Sequence, residues 1–412
     1  MWLGIAAAGC FSGSLTAQTY NWRQLREKFE AANPAVRAGQ LLVDESRAQE
    51  ITAFLRPNPS LTASLDQLDP FSVNPYRPLG YTFPQISTSY LHERQHKREL
   101  RLESAKKGTA IASAQQDDLV RSMEFSLRTA FVQALQAKAV LELARENLAY
   151  YEKFLGVSRD RLAAGDIARV DLMRLELQRV QYETDVQTAE VNVRTAKIQL
   201  LAMLNDRTPV EKFDVTGVFE YSEVLTPLDE FRKLALDARP DLRVALQSVE
   251  KARTDHQLAV ANSSTDPTFG LDVGRNPPIP SYFGVNVNIP LRIFDRNQGE
   301  RERTAIDIRR AERLREAAMS QVLSDVDSAH ATLGMNVSLL RRYKATYLDE
   351  AAKVRETVAF AYQRGGASLL DFLSAQNDYR MVRLSYLNLV GAYLTAAGQM
   401  NLAVGREVIS AE

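Results

Sequence analysis

The sequence predicts a mainly α-helical fold with a small β part, in which one long helical hairpin occurs twice. The first observation is a heptad seam over residues 372–403, where apolar residues alternate at spacings of three and four. Such a seam is typical of a long helix packed along another. The second observation is that the pattern also occurs 200 residues earlier. The third is a few short segments of alternating apolar and polar residues, which predict strands.

A tight turn between two helices is predicted just before this seam. Gly365 and Gly366 supply the positive φ that ends a helix, and Ser368 can cap the next one. Asp371 follows near the positive end of that helix. The seam then continues through Phe372, Ala375, Tyr379, Val382, Tyr386, Leu389, Tyr393, Ala396, Met400 and Ala403.

The first half of the chain repeats this hairpin. Gly165 corresponds to Gly365, and Asp171 corresponds to Asp371. In the corresponding seam only Arg179 is not apolar. We therefore expect a tandem repeat in one elongated body rather than several compact domains.

The composition narrows the class of protein. Lys and Arg number 51 together, as do Asp and Glu, so the formal net charge is zero. A neutral chain without a basic block offers no electrostatic basis for nucleic-acid binding. Cys10 is the one cysteine of the chain, so no internal disulfide can form. No apolar run reaches the length of a membrane-spanning helix.

The N-terminal segment 1–17 is apolar and rich in small residues, as in the core and cleavage zone of a secretory signal. Two interpretations stay open. Residues 7–10 loosely match a lipoprotein signal, in which Cys10 becomes acylated, whereas ordinary cleavage would occur near Ala17. A third interpretation, a helix of a cytosolic protein, fits the pattern less well.

The remaining elements follow in chain order. The first half is predicted to contain a helix over 21–54 broken near Asn33-Pro34, strands over 60–65 and 81–90 with a bulge near Pro84, a helix from about His92 to Leu162, a turn at 164–166 and a return helix to Leu204. The second half is predicted to contain a helix to Ser263, strands over 269–273 and 282–291 around a loop at 276–280, and a helix with apolar residues at sevens: Val326, Leu333, Leu340, Tyr347, Val354 and Ala361. We divide the chain into a signal region (1–17), a first repeat (18–204), an equatorial connector (205–238), a second repeat (239–404) and a tail (405–412).

The last predicted strand has two distinct faces. Phe283, Val285, Val287, Ile289 and Leu291 share one face, and polar or small residues occupy the other. About ten residues with this alternation suit a tilted strand across a membrane. A half-buried hairpin of a soluble protein fits the local pattern equally well.

One motif points to a different chemistry. Residues 92–96, His-Glu-Arg-Gln-His, match the zinc-protease motif, in which two His on one helical face bind zinc and Glu93 acts as base. The motif lies where a strand leads into a basic, solvated helix. The other His residues belong to other heptad helices, so a third ligand is not evident. We therefore predict no catalytic residues, no metal site and no cofactor.

Several segments together make the chain resemble the outer-membrane efflux (TolC) family, and in particular its cation-efflux type. The segments are Asn33-Pro34, the tip over 161–172, residues 289–295 and residues 362–373. The resemblance implies a homotrimer, in which four strands per chain form a twelve-stranded outer-membrane β-barrel and the helices form a long periplasmic α-barrel. The strand count agrees, because four strands cannot close a barrel and an open sheet edge cannot face lipid.

The resemblance also implies partners and site residues. The protein would be the passive exit duct of a tripartite efflux pump, joined to a periplasmic adaptor and an inner-membrane pump and embedded in outer-membrane lipid. The tip residues that would contact the adaptor are Ala164, Gly165, Asp166, Arg364, Gly365 and Gly366. The residues that would form the pore constriction are Asp171, Asp371 and Ser374.

Two points stay open at the constriction. In the family a second acid often follows Asp371 by three residues, whereas this chain has Ser374, so a ring would hold three carboxylates. Asp171 and Asp371 are equally explained as charges that compensate helix N-termini. Two other functions stay open for the whole chain: a periplasmic coiled-coil scaffold, which needs no membrane strand, and a zinc hydrolase.

Overall fold

The computed structural model describes residues 18–68, 70–71, 75, 78–79, 82–222, 226–276 and 279–410. The first half contains β1 (Gln18–Tyr20), α1 (Trp22–Ala32), α2 (Pro34–Phe54), β2 (Ser60–Asp66), β3 (Phe83–Leu91), α3 (Lys97–Ala163) and α4 (Arg169–Met203). The second half contains β4 (Phe213–Val215), α5 (Leu228–Ala238), α6 (Pro240–Ala261), β5 (Thr268–Asn276), β6 (Ile279–Asn288), α7 (Gln298–Arg342), α8 (Leu348–Gln363) and α9 (Leu369–Val404). The predicted signal region with Cys10 lies outside the described residues.

The chain divides into two compact units. A helical unit comprises residues 18–38, 118–239 and 321–410, and a sheet unit comprises residues 39–117 and 240–320. Both halves of the chain contribute to each unit in the same element order, so the predicted tandem repeat is present. Helix α5 lies inside the segment 205–238 that we predicted as a connector.

The sheet unit contains one four-stranded antiparallel sheet with the order β2-β3-β5-β6. The predicted bulge at Pro84 is wrong, because Pro84 pairs in regular register with Leu65. Pro84 lies outside the part of β3 that pairs with β5, where a strand tolerates a residue without an N–H. The irregularity falls instead between Gly274 and Asn276. Of the predicted loop 276–280, β5 takes Asn276, β6 takes Ile279 and Pro280, and residues 277–278 lie outside the described part. The predicted strand 282–291 is too long at its end, because β6 ends at Asn288 and Ile289 and Leu291 follow it.

Helix α3 begins at Lys97, five residues later than predicted. Gln95 and His96 have positive φ values of 58° and 54°, so the backbone turns before the helix starts. Asp266 holds this turn in place. Its carboxylate accepts hydrogen bonds from the Arg94 backbone N–H at 2.9 Å and from the Lys97 Nζ at 2.6 Å. Lys97 is buried, so its ammonium group loses hydrogen bonds to water on folding, and the ion pair with Asp266 compensates for that loss.

The break between the first two helices of each repeat contacts the end of the last helix of the same repeat. The Asn33 side-chain amide donates to the Met203 carbonyl at 2.9 Å. The Arg239 guanidinium donates to the Ala403 carbonyl at 3.2 Å. These carbonyls belong to the last turns of α4 and α9, which have no partner within their own helices. The two residue types differ, but they satisfy equivalent backbone groups.

The predicted seam of α9 is confirmed. Its residues are buried or half-buried from Phe372 to Ala403, whereas the seam of sevens before the second tip is fully buried only as far as Leu340. A π-helical turn at Tyr343–Tyr347 follows, and Tyr347 and Val354 are exposed. A π turn adds one residue to a helix. The buried positions therefore advance by one residue, and Ala359 and Tyr362 face the interior in α8.

Large buried side chains form two separate clusters in the helical unit. One cluster joins α1 and β4 to α3 and α4 and includes Leu25, Phe29, Phe131, Leu200 and Phe213. The other lies near the two tips. Among the described helices, none is long and apolar enough to cross a membrane.

An ion pair in the helical unit makes stability depend on pH. Hydrogen bonds from the Lys28 ammonium and then from Thr208 lower the pKa of Asp206 to about 2, from 3.8. A depressed carboxyl pKa stabilises the fold above pH 3.8, and this contribution disappears as the pH falls through 2. We expect Asp206→Asn to reduce the free energy of unfolding by about 1–2 kcal/mol at neutral pH.

Thermal unfolding followed by circular dichroism checks this expectation. The difference between the wild type and Asp206→Asn should shrink as the pH falls from 5 to 2. Glu27→Gln is the matched control, because Glu27 and its partner Arg23 are both exposed and such pairs contribute little. A deficit that stays constant over this pH range contradicts the assignment.

Candidate functional site: the hairpin tips and the sheet faces

The first tip ends helix α3 with a glycine in the left-handed conformation. Gly165 has a φ of 83°. Its N–H donates to the Leu162 carbonyl at 3.0 Å, and the Asp166 N–H donates to the Arg161 carbonyl at 2.8 Å. These two bonds form a Schellman motif, which satisfies carbonyls that the helix end leaves free.

The second tip has the same geometry. Gly365 has a φ of 79°. Its N–H donates to the Tyr362 carbonyl at 3.1 Å, and the Gly366 N–H donates to the Ala361 carbonyl at 2.8 Å. A Cβ atom at Gly165 or Gly365 would meet no other atom within 4 Å. Both glycines are therefore required for backbone conformation and not for space.

The helices that leave the tips begin differently. Ser368 and Asp371 form a capping box: the Asp371 N–H donates to the Ser368 Oγ at 3.2 Å, and the Ser368 N–H donates to the Asp371 carboxylate at 3.0 Å. The side-chain and backbone hydrogen bonds from Ser368 lower the pKa of Asp371. At the first tip, Ala168 supplies no side-chain cap, and Asp171 lies 3.8 Å from Arg174.

The carboxylate of Asp371 thus accepts hydrogen bonds at the N-terminus of α9. This position agrees with the interpretation in which Asp371 compensates the positive end of the helix. Ser374 is exposed one turn further along α9. Asp171 and Asp371 occupy equivalent positions in the two repeats. Their placement at a pore constriction stays a prediction.

An aromatic cluster connects the two hairpins behind the tips. The Phe154 ring from α3 stacks on the Phe372 ring from α9, with centroids 3.7 Å apart. Tyr362 from α8 packs against both rings, at 5.6 and 5.5 Å. Arg161 donates to the Tyr362 carbonyl at 3.2 Å and lies over its ring. The tips of both repeats are therefore joined by direct contacts.

Sequence reasoning missed a group of exposed apolar side chains beside the tips. Val170 and Leu370 occupy equivalent positions in the first turns of α4 and α9, and Leu370 is 75% exposed. Phe360 is also exposed, in the last turn of α8. The signal was present in the sequence, because both positions are apolar yet lie outside the heptad seam.

The zinc-protease motif does not adopt the geometry that zinc binding needs. His92 to His96 lie before α3, with two left-handed residues among them, so the two His do not share a helical face. The Glu93 carboxylate accepts hydrogen bonds from the Arg101 guanidinium, one at 2.9 Å. Within the described part of the chain, no group of three or more His, Cys, Asp or Glu could hold a metal ion.

The two faces of the sheet differ sharply in polarity. Cross-strand pairing places Leu61, Ile86, Phe269, Leu271, Val273, Phe283, Val285 and Val287 on one face, and all of them are exposed. Ser, Thr, Asn, Asp and Gly dominate the opposite face. Contiguous exposed apolar surface of this extent is typical of an interaction site or a membrane-facing surface. Two exposed edges, β2 and β6, flank the sheet.

The polar face has an interlocking pattern that sequence reasoning also missed. On β5 and β6, three successive cross-strand pairs on this face join one glycine to one polar side chain: Gly270 to Asn286, Gly284 to Asp272, and Gly274 to Tyr282. A Cβ atom at any of these glycines would collide with the side chain opposite. The pattern becomes visible only when the register of the two strands is known.

Comparison with known proteins gives a consistent result. Residues 232–406 match the family model described as outer membrane efflux protein. The cobalt-zinc-cadmium resistance protein CzcC of Cupriavidus metallidurans is 24% identical over 320 residues, which cover 75% of this chain and 74% of that protein.

Solved structures share the fold over nearly the whole chain. A structure of CusC, reported for the conformational changes that accompany its folding and transmembrane channel formation, matches with a TM-score of 0.79 and 16% identity. The match covers 95% of this chain and 93% of that one. The CmeC outer membrane channel of Campylobacter jejuni matches with a TM-score of 0.77 and 12% identity, over 100% of this chain and 96% of that one. With the tandem hairpins and the two-faced sheet, these matches show that the chain has the fold of these solved channels and that its second half is similar to the outer membrane efflux protein family.

Proposed function

We propose that this protein is the outer-membrane exit duct of a tripartite efflux pump. The observation that carries the proposal is the four-stranded sheet with one apolar and one polar face. Lipid would cover the apolar face, and the polar face would border a water-filled path. The protein is a channel and not an enzyme, and it works with a periplasmic adaptor and an inner-membrane pump.

The two sheet edges call for further copies of the chain. Backbone groups on an open edge have no water to bond in a bilayer, so they must pair with another strand. Four strands are too few to close on themselves, because single-chain closed sheets begin at about eight strands. Three copies that join β6 of one to β2 of the next make a closed sheet of twelve strands. A homotrimer in the outer membrane meets both requirements.

The helical unit has matching surfaces for self-association. Besides its buried seam, α4 carries a second heptad stripe of exposed residues: Val170, Met173, Leu177, Val180, Val191 and Ile198. Exposed residues also lie at Tyr347, the last residue of the π turn, and at Val354 in helix α8, and the π turn directs both away from the interior. Both stripes begin near the tips and run along helices of opposite direction. An antiparallel contact between α4 of one copy and α8 of the next covers both stripes.

The tips are the proposed contact with the adaptor. Ala164, Gly165, Asp166, Arg364, Gly365 and Gly366 form the turns, and Val170, Phe360 and Leu370 supply exposed apolar area beside them. Apolar side chains on a rigid turn are typical of a docking surface. The aromatic stack of Phe154 on Phe372 keeps the tips of both repeats in one arrangement.

We also assign the constriction and the cargo. Three copies of Asp371, with Asp171 and Ser374 nearby, would narrow the path behind the tips. The pKa of Asp371 is lowered by its hydrogen bonds from Ser368, so its carboxylate is charged at neutral pH and remains charged in weak acid. The similarity to the cobalt-zinc-cadmium resistance protein CzcC favours divalent metal cations as cargo.

The second candidate function, a coiled-coil scaffold, does not require a sheet with one apolar and one polar face.

Disulfide trapping tests the contact between copies. In a Cys10→Ser background, the Leu177→Cys/Val354→Cys double variant should form covalent oligomers of the chain under mild oxidation. A disulfide within one chain leaves the mass of a denatured chain unchanged, so only contacts between copies are detected. Each single cysteine variant is the matched control and should stay monomeric. Absence of covalent oligomers in the double variant rejects the α4–α8 contact.

Substitution at the tips tests the adaptor contact. Gly165→Asp/Gly365→Asp should leave the trimer assembled, because neither site is crowded and the left-handed backbone costs an Asp about 1 kcal/mol. The added carboxylates lie by the last carbonyls of α3 and α8, which the helix dipole disfavours. We expect lost crosslinking to the adaptor and raised cellular zinc in zinc-containing medium.

Gly334→Asp is the matched control, because Gly334 is an exposed glycine within α7 with no atom close to its Cβ position. It should crosslink to the adaptor and export zinc as the wild type does. Normal export by the double tip variant would remove the tips from the docking surface. Loss of the trimer in that variant would make the glycines structural instead.

A further inference from the structure

The charged residues assigned to the polar face of the sheet are all acidic. Register places Thr62, Ser64, Asp66, Gln85, Ser87, Ser89, Gly270, Asp272, Gly274, Tyr282, Gly284, Asn286 and Asn288 on this face. Asp66 and Asp272 are acids, and no Lys, Arg or His is among the residues that strand register assigns to this face in the described parts of the four strands. Asp66 is at the end of β2, whereas Asp272 is in the middle of β5.

Asp272 is held in one place by its neighbours. Directly opposite is Gly284, and a Cβ atom there would collide with the Asp272 carboxylate. The Asn286 side-chain amide donates to the Asp272 Oδ1 at 3.2 Å. Asn286 in turn lies over Gly270, where a Cβ atom would collide with it. The two glycines thus provide the space in which Asp272 and Asn286 lie flat against the sheet and meet each other.

We propose that Asp272 sets a cation preference in the part of the duct formed by the sheet. The inference rests on the proposed function, in which three copies close the sheet around a water-filled path. Each copy then contributes one Asp272 to the same level of the path. The amide of Asn286 fixes the carboxylate but does not neutralise it.

The electrostatic consequence follows because the described residues that register assigns to this face include acids and no base. Like charges in a narrow path with low-dielectric walls raise the local concentration of counter-ions. Rings of Asp or Glu produce cation selectivity in this way. Screening weakens the effect, because the Debye length falls from about 10 Å at 0.1 M salt to about 3 Å at 1 M. The preference should therefore be strongest at low ionic strength.

Reversal potentials in planar lipid bilayers test the assignment, with KCl gradients as the probe. The wild-type trimer should favour potassium over chloride, more at 0.1 M than at 1 M KCl. Asp272→Asn should lower the permeability ratio on the order of twofold or more. Absence of any conductance from the wild type would reject the exit duct itself. Conductance with an unchanged ratio in Asp272→Asn would reject the assignment of Asp272 alone.

A swap variant separates charge from structure. Asp272→Asn/Asn286→Asp moves the carboxylate to the other member of the same hydrogen-bonded pair and keeps both side-chain volumes. It should restore the cation preference that Asp272→Asn loses. If the swap variant conducts but stays as unselective as Asp272→Asn, the charge on this face does not set the preference, and the proposal is overturned. Gly284→Ala should displace the carboxylate and also lower the ratio.

Discussion

The sheet imposes the constraint on which the rest of the protein depends. One face is a continuous apolar surface, and both edge strands present unpaired backbone groups. Neither feature can be satisfied by one chain in water. Lipid on the apolar face and neighbouring copies on the edges satisfy both at once. A closed sheet of several copies also explains why the opposite face is polar, since it then surrounds a water-filled path.

The helical unit also has apolar surface that one chain leaves uncovered. Its helices bury one heptad seam inside the chain and leave a second stripe on α4 and α8 outside. The π turn at Tyr343–Tyr347 is the device that changes which stripe of the α7–α8 segment faces the interior. At the tips, the stack of Phe154 on Phe372 joins the two repeats, so the glycine turns can form one docking surface.

Much of this arrangement could be predicted from local patterns. Gly165, Gly365 and the seam of α9 were predictable because a glycine at the end of a helical pattern and a heptad repeat each depend on residues close in sequence. The phase shift after Leu340 was not, because Tyr347 and Val354 continue the spacing of sevens and nothing in their identity marks an inserted residue. The start of α3 at Lys97 was missed for a related reason, since Asp266, which holds the preceding turn, is distant in sequence.

The candidate sites divide in the same way. Asp371 was placed beside a helix end by sequence, and its bond to Ser368 follows from the three-residue spacing. The pairing of Asp272 with Gly284 and Asn286 depends on strand register, which the sequence of either strand alone does not contain.

The central claim is that several copies of the chain close one sheet, and the number of chains in the assembly tests it most directly. Native mass spectrometry of the protein extracted from the outer membrane should give a complex of three chains, and a complex of one chain would contradict the account.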